Sequence, residues 1–184
     1  MSRLRDRQPG PPPLRSREGA ERFGLHGLDE SLKKRVIDDT ILWLRQYYLY
    51  HRAKKVSQQK VLYLSEQPED PENYLEEEMI KKQSYPSSWA VPEWKWMKET
   101  NDFIEVHFDQ GRTGHIKWKP TTLGTNIYEL QQLQGLRGPG SSREGADELT
   151  VEQRIQLSRT WAAWSPGLKN AIVTAVKKIG RASC

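Results

Sequence analysis

The residues of this 184-residue chain whose types and spacing best fit a chemistry are Arg52, Lys54, Lys55, Lys95, Trp96, Lys117 and Lys119. That chemistry is phosphate recognition rather than bond making. Lysines and arginines displace counterions from a nucleic-acid backbone, and an aromatic ring beside them can stack on a base. The first three follow a cluster of three tyrosines within Tyr47–Tyr50, at the expected end of a long helix. The other four lie in and around a tryptophan-rich stretch. The two groups form one surface only if the helix packs across a sheet with its C-terminal end beside the tryptophans. Tyr50 or Trp96 would then stack on bases. A second set, Leu168, Ile172, Val176 and Ile179, has the spacing of apolar anchors on a docking helix.

The residue types of catalysis do not assemble. Of His26, His51, His107 and His115, only the last two are expected to be neighbours, and two imidazoles are too few for a closed zinc site. Cys184 is the only cysteine. It excludes a disulfide framework and a thiolate metal cluster, and it points to a reducing, intracellular compartment. No G-x-x-x-x-G-K-[ST], H-E-x-x-H, C-x-x-C or G-x-S-x-G occurs. The acidic stretch from Glu66 to Glu78 lacks the alternating ligands and central glycine of a calcium loop, and it reads as a solvated acidic face. The chain is expected to be no enzyme and to use no metal or cofactor.

The balance of 29 Lys and Arg against 24 Asp and Glu gives a net charge of +5, with a pI of about 9.3. This favours nucleic acid, an anionic membrane or an acidic protein as partner. The apolar share is 35% and mean hydropathy is −0.84, which fits a modest core with solvated tails. No run of 18 apolar residues exists, so no transmembrane helix is expected. The N-terminal stretch has no apolar segment of a secretory signal, and Asp6 and Glu18 argue against a transit peptide.

These residues must be positioned by a few elements. Residues 1–27 hold Arg3, Arg5, Arg7, Arg15 and Arg17 around the Pro9–Pro13 run and read as a disordered, polyproline-like tail. A long helix follows, capped by Asp29. Leu32, Val36, Trp43, Tyr47 and Tyr50 form one apolar stripe, and Ile37, Ile41, Leu44 and Tyr48 an adjacent one, as for a helix buried on two sides. Val61–Leu64 has the look of an edge strand. A short amphipathic helix with Tyr74, Leu75, Met79 and Ile80 would start near Pro71. Pro86 and Pro92 should keep Trp89, Trp94 and Trp96 in a loop.

The clearest strand signal is the alternation of Ile104, Val106 and Phe108 with Phe103, Glu105 and His107. A hairpin with Phe108 opposite Gly114 sets Val106 against Ile116 and Ile104 against Trp118. It sets Glu105 against Lys117 and His107 against His115 on the other face. Slipping by one residue would put Ile104 and Val106 opposite lysines. Thr121–Asn126 reads as a loop, and Ile127–Leu133 as a short helix or a third strand.

Residues 134–147 read as a glycine-rich linker. Thr150 and Gln153 fit a capping box for a first C-terminal helix. Ser165 and Pro166 should cap and open a second, basic one ending near Gly180. The expected fold is therefore α+β: a long N-terminal helix packed on a small antiparallel sheet with a central hairpin, followed by a C-terminal helical pair. Its divisions are 1–27 (tail), 28–133 (core), 134–147 (linker) and 148–184 (helical hairpin). The expected function is that of a small, basic, non-enzymatic regulatory protein associated with nucleic acid. The alternative is a structural or adapter subunit of a larger assembly, docking through the tail and the C-terminal helix. In style such a tryptophan- and arginine-rich chain is similar to viral accessory proteins.

Overall fold

The computed structural model describes residues 13–74, 86–115, 118–138 and 162–182. These form α1 (Glu30–Val56), β1 (Leu64–Pro68), α2 (Pro92–Asn101), β2 (Ile104–Asp109), β3 (Pro120–Thr125) and α3 (Pro166–Ala182). Short 3-10 turns join them. A long N-terminal helix, a three-stranded antiparallel sheet and a C-terminal helix give the expected α+β class. The chain divides into two compact units. The first comprises Met1–Val61 with Asp70–Lys95, and the second Leu62–Glu69 with Trp96–Cys184.

In the first unit, α1 begins where expected. The Asp29 carboxylate accepts a hydrogen bond from the Leu32 N–H at 2.9 Å, satisfying one of the orphan donors of the first turn. Val36, Thr40, Tyr47 and Tyr50 recur at helical spacing and are buried. Tyr47 packs edge-on against Trp43 at 4.9 Å and lies 6.4 Å from Trp94, which meets Trp89 edge-on at 5.0 Å. The aromatic cluster covers this row only. Ile37, Ile41, Leu44 and Tyr48, expected to be buried as a second stripe, are exposed. They lie about 100° further round the helix.

Pro92 starts a helix instead of breaking one. A proline in the first turn loses no helical hydrogen bond, and its fixed φ suits the helix. The Trp94 and Lys95 N–H groups both donate to the Val91 carbonyl. Trp94 and Trp96 are thus helical rather than in a loop. The residues described before Gly27, read from sequence as a loose tail, are fastened. Arg15 donates to the Thr40 hydroxyl at 2.8 Å and to the Val36 carbonyl at 2.9 Å. Arg17 grips both Asp70 oxygens at 2.9 and 2.7 Å. Burial alone would raise the Asp70 carboxyl. The Arg17 hydrogen bonds, the Glu72 N–H and the Arg17 charge outweigh it and hold the group below its ordinary value.

In the second unit the strand order is β1-β3-β2, with β3 at the centre and buried throughout. The hairpin register differs from the expected one. Ile104 pairs with Thr125, Val106 with Leu123 and Phe108 with Thr121, while His107 faces Thr122 and Glu105 faces Gly124. Of the strand partners expected instead, Ile116 and Lys117 lie outside the described residues. The connection is wider because Gln110 closes it. Its N–H donates to the Lys119 carbonyl, and its carbonyl accepts from the His115 N–H. Its side chain donates to Thr121 and Glu66. The turn Gln110–Thr113 then ends on Gly114 at φ 93, a left-handed conformation that glycine adopts without strain.

β1 runs over Leu64–Pro68, shifted from the expected 61–64, and Thr121–Thr125 is a strand rather than a loop. Residues Tyr128–Leu133 form a 3-10 helix, not a third strand. The expected linker begins as part of the fold, since the Gly135 N–H donates to the His107 carbonyl and the Asp109 N–H to that of Leu136. Residues 139–147 lie outside the described residues, as do 75–85 of the short helix expected near Pro71 and most of the first C-terminal helix. Ser165 caps α3, its hydroxyl accepting from the Leu168 N–H at 3.3 Å. Leu168 and Ala175 join Val106, Phe108, Leu123, Ile127, Leu130 and Leu133 in one core. A Cβ on Gly167 would sit 2.7 Å from the Thr113 carbonyl oxygen, so the start of α3 needs that glycine.

Candidate nucleic-acid interface

Arg52, Lys54 and Lys55 are exposed in the last turns of α1. There they also complement the unpaired carbonyls of the helix C-terminus. Arg45, Tyr48, Arg52 and Lys55 recur at spacings of 3, 4 and 3, which places them on one face, and all four are exposed. Tyr48 is 65% exposed, whereas Tyr50, expected as a stacking residue, is 6% exposed and belongs to the core. The aromatic available on this helix is therefore Tyr48. Arg45 was missed by sequence reasoning, although a signal was present. From Thr40 to Ser65 the chain holds Arg45, Arg52, Lys54, Lys55 and Lys60, and no Asp or Glu.

The remaining residues of the expected surface are placed as follows. Lys95 is exposed in the first unit, and Trp96, 53% exposed, follows it in α2 as the first residue of the second unit. Lys119, also in the second unit, lies 3.4 Å from Glu66 and is partly neutralised by it. Lys117 is outside the described residues. The residues that one element brings together are those of α1.

The anchors expected on α3 divide. Leu168 is fully buried, Ile172 and Ile179 pack against the core, and Val176 is exposed together with Val173.

The acidic stretch is not simply a solvated face. The Glu69 side chain is buried and held in a two-pronged ion pair by Arg137, which also reaches Asp109 at 3.3 Å. The hydrogen bonds to Glu69 raise the pKa of Arg137, keeping it charged. Glu66 accepts from the Trp164 indole at 3.0 Å and from Gln110 at 2.9 Å, and Gln110 in turn accepts from the Ser165 N–H at 2.9 Å. His107 Nδ1 lies 2.9 Å from the Thr122 hydroxyl and 3.5 Å from Glu69. Both contacts fall on the same ring nitrogen, whereas an activated nucleophile and its orienting carboxylate use opposite nitrogens of the imidazole. Thr122 is fully buried and Arg137 occupies the carboxylate, so the group ties Glu69, β2, β3 and residues 137–138 together.

Comparison with protein-family models, with curated proteins and with solved structures finds no match for this chain. Among the described residues no helix is long and apolar enough to cross a membrane.

Proposed function

We propose that this is a small, non-enzymatic, regulatory nucleic-acid-associated protein that holds a single strand on the C-terminal half of α1. The observation that carries this reading is the exposed row Arg45, Tyr48, Arg52 and Lys55 in a stretch without a single acid. The cations release counterions from phosphates, and Tyr48 stacks on a base for about 1–3 kcal/mol. Such a surface reads no base edges, so sequence preference is weak. Lys54 and Lys95 add charge in the same unit.

The adapter reading is supported by the exposed Val173 and Val176 of α3. It is weakened by the packing of Leu168, Ile172 and Ile179 into the chain's own core. Fluorescence anisotropy with a labelled single-stranded oligonucleotide separates the two. Phosphate binding should reach micromolar affinity at ~50 mM salt and weaken at least about tenfold by ~200 mM. No binding at the lower salt removes the nucleic-acid reading and leaves the adapter.

A further inference from the structure

The exposed apolar row on α1 is not accounted for by phosphate binding. Ile37, Ile41, Leu44 and Tyr48 are 53%, 41%, 37% and 65% exposed, on a helix that already buries another row. Four large apolar side chains in line along three turns of one helix mark a docking face rather than scattered surface residues. Their spacing is 4, 3 and 4, which is the seam of a two-helix coiled coil over about 17 Å. It is also the same read in either direction.

We propose that this face pairs with the same face of a second copy, antiparallel about a two-fold axis. An isologous contact requires a self-complementary patch, and the palindromic spacing provides one. Ile37 then meets Tyr48 of the second copy, Ile41 meets Leu44, and both contacts repeat across the axis. The charges choose the direction. Asp38 and Arg45 flank the row on the same side, seven residues apart, and both are exposed. In the antiparallel register Asp38 of each copy faces Arg45 of the other. Glu30 and Lys55 become opposed in the same way at the ends. Asp38 already holds Lys34 at 2.8 Å within its own helix, so the acid is flanked by cations on both sides in the pair. In a parallel pair the positions that would face Arg45 are Thr40 and Tyr47, both buried in the chain's own core, so the match is lost.

The seam is short, so the pair is weak, with a dissociation constant in the range of roughly 10–100 µM. It seats Tyr48, so pairing of two copies and stacking of a base on Tyr48 exclude each other.

The test is sedimentation of the full chain, freed of nucleic acid with nuclease, across concentrations from about 1 to about 500 µM. A monomer–dimer equilibrium is expected. Ile41→Lys, at an exposed position, should weaken it at least about tenfold with the helical circular dichroism unchanged. Asp38→Arg alone and Arg45→Asp alone should each weaken it several-fold, and the double variant, which restores the net charge, should recover the original constant. A monomer throughout the range overturns the proposal, and so does association that Ile41→Lys leaves untouched. A double variant no better than the singles contradicts the antiparallel register. Because nucleic acid is absent, none of these outcomes depends on the anisotropy result.

Discussion

α1 and β3 handle polarity in opposite ways. α1 leaves Ile37, Ile41, Leu42, Leu44, Tyr48 and Leu49 in solvent. β3 buries all six of its residues, three of them threonines. Neither follows from the residue types alone. A polar side chain can be buried when its partners are fixed. Thr125 donates to the Tyr63 carbonyl at 2.6 Å and accepts from the Ile127 N–H at 3.0 Å, and Thr121 shares Gln110 with Glu66. On α1 the apolar side chains of the second row stay exposed among the described residues. The buried polar strand is satisfied within its own unit, and the exposed apolar row is what the proposed pairing of two copies would cover.

The widest separation between the two regions should come from placing a lysine in each. Val106→Lys puts an unpaired charge opposite Leu123 in the core and should cost more than about 3 kcal/mol in denaturant melts. Ile41→Lys on α1 should change stability by less than about 0.5 kcal/mol. Equal losses would erase the contrast. A smaller effect tests whether the buried hydroxyls matter. Thr125→Val keeps the shape of the side chain but strands the Tyr63 carbonyl and the Ile127 N–H, and should cost about 1–3 kcal/mol. A neutral result would mean that β3 is held by packing alone.

The smallest effect concerns how the first unit fastens residues 13–27. Arg17→Met should cost about 1–2 kcal/mol at pH 7 by leaving the part-buried Asp70 without its cationic partner. The Asp70 pKa is lowered in the folded chain from its ordinary 3.8. Its contribution is therefore present above pH 3.8 and fades as the pH falls through the lower folded value. The stability gap between Arg17→Met and the parent should narrow below pH 3.8. A gap that stays constant would mean that the arginine acts through packing.

Much of the skeleton could be read from the chain. Asp29 capped its helix, Ser165 and Pro166 opened theirs, and Ile104, Val106 and Phe108 formed a strand. These features rest on local periodicity and cap chemistry, which need no distant partner. β3 was not readable, because Pro-Thr-Thr-Leu-Gly-Thr has no apolar alternation and each of its threonines relies on a residue well outside the strand, Tyr63, His107 or Gln110. The register failed for the same reason, since Gln110 sets it through Lys119 and Thr121. On α1 both apolar stripes have helical spacing. Periodicity reports that a face is apolar, and only the position of Trp89 and Trp94 decides which face is covered. Of the residues on this surface, Arg52, Lys54 and Lys55 could be read in sequence, Arg45 was signalled by the acid-free run alone, and Tyr48 needed the exposed face to be known.

The most direct measurement pairs two readouts on one variant, Arg52→Glu/Lys55→Glu. If the solvent side of α1 binds and its other side folds, the melting midpoint should stay within the equivalent of about 0.5 kcal/mol. Affinity for a single-stranded oligonucleotide at ~50 mM salt should fall at least about thirtyfold. An unchanged affinity, or a midpoint that falls along with it, would contradict the division of α1 into a folding face and a binding face.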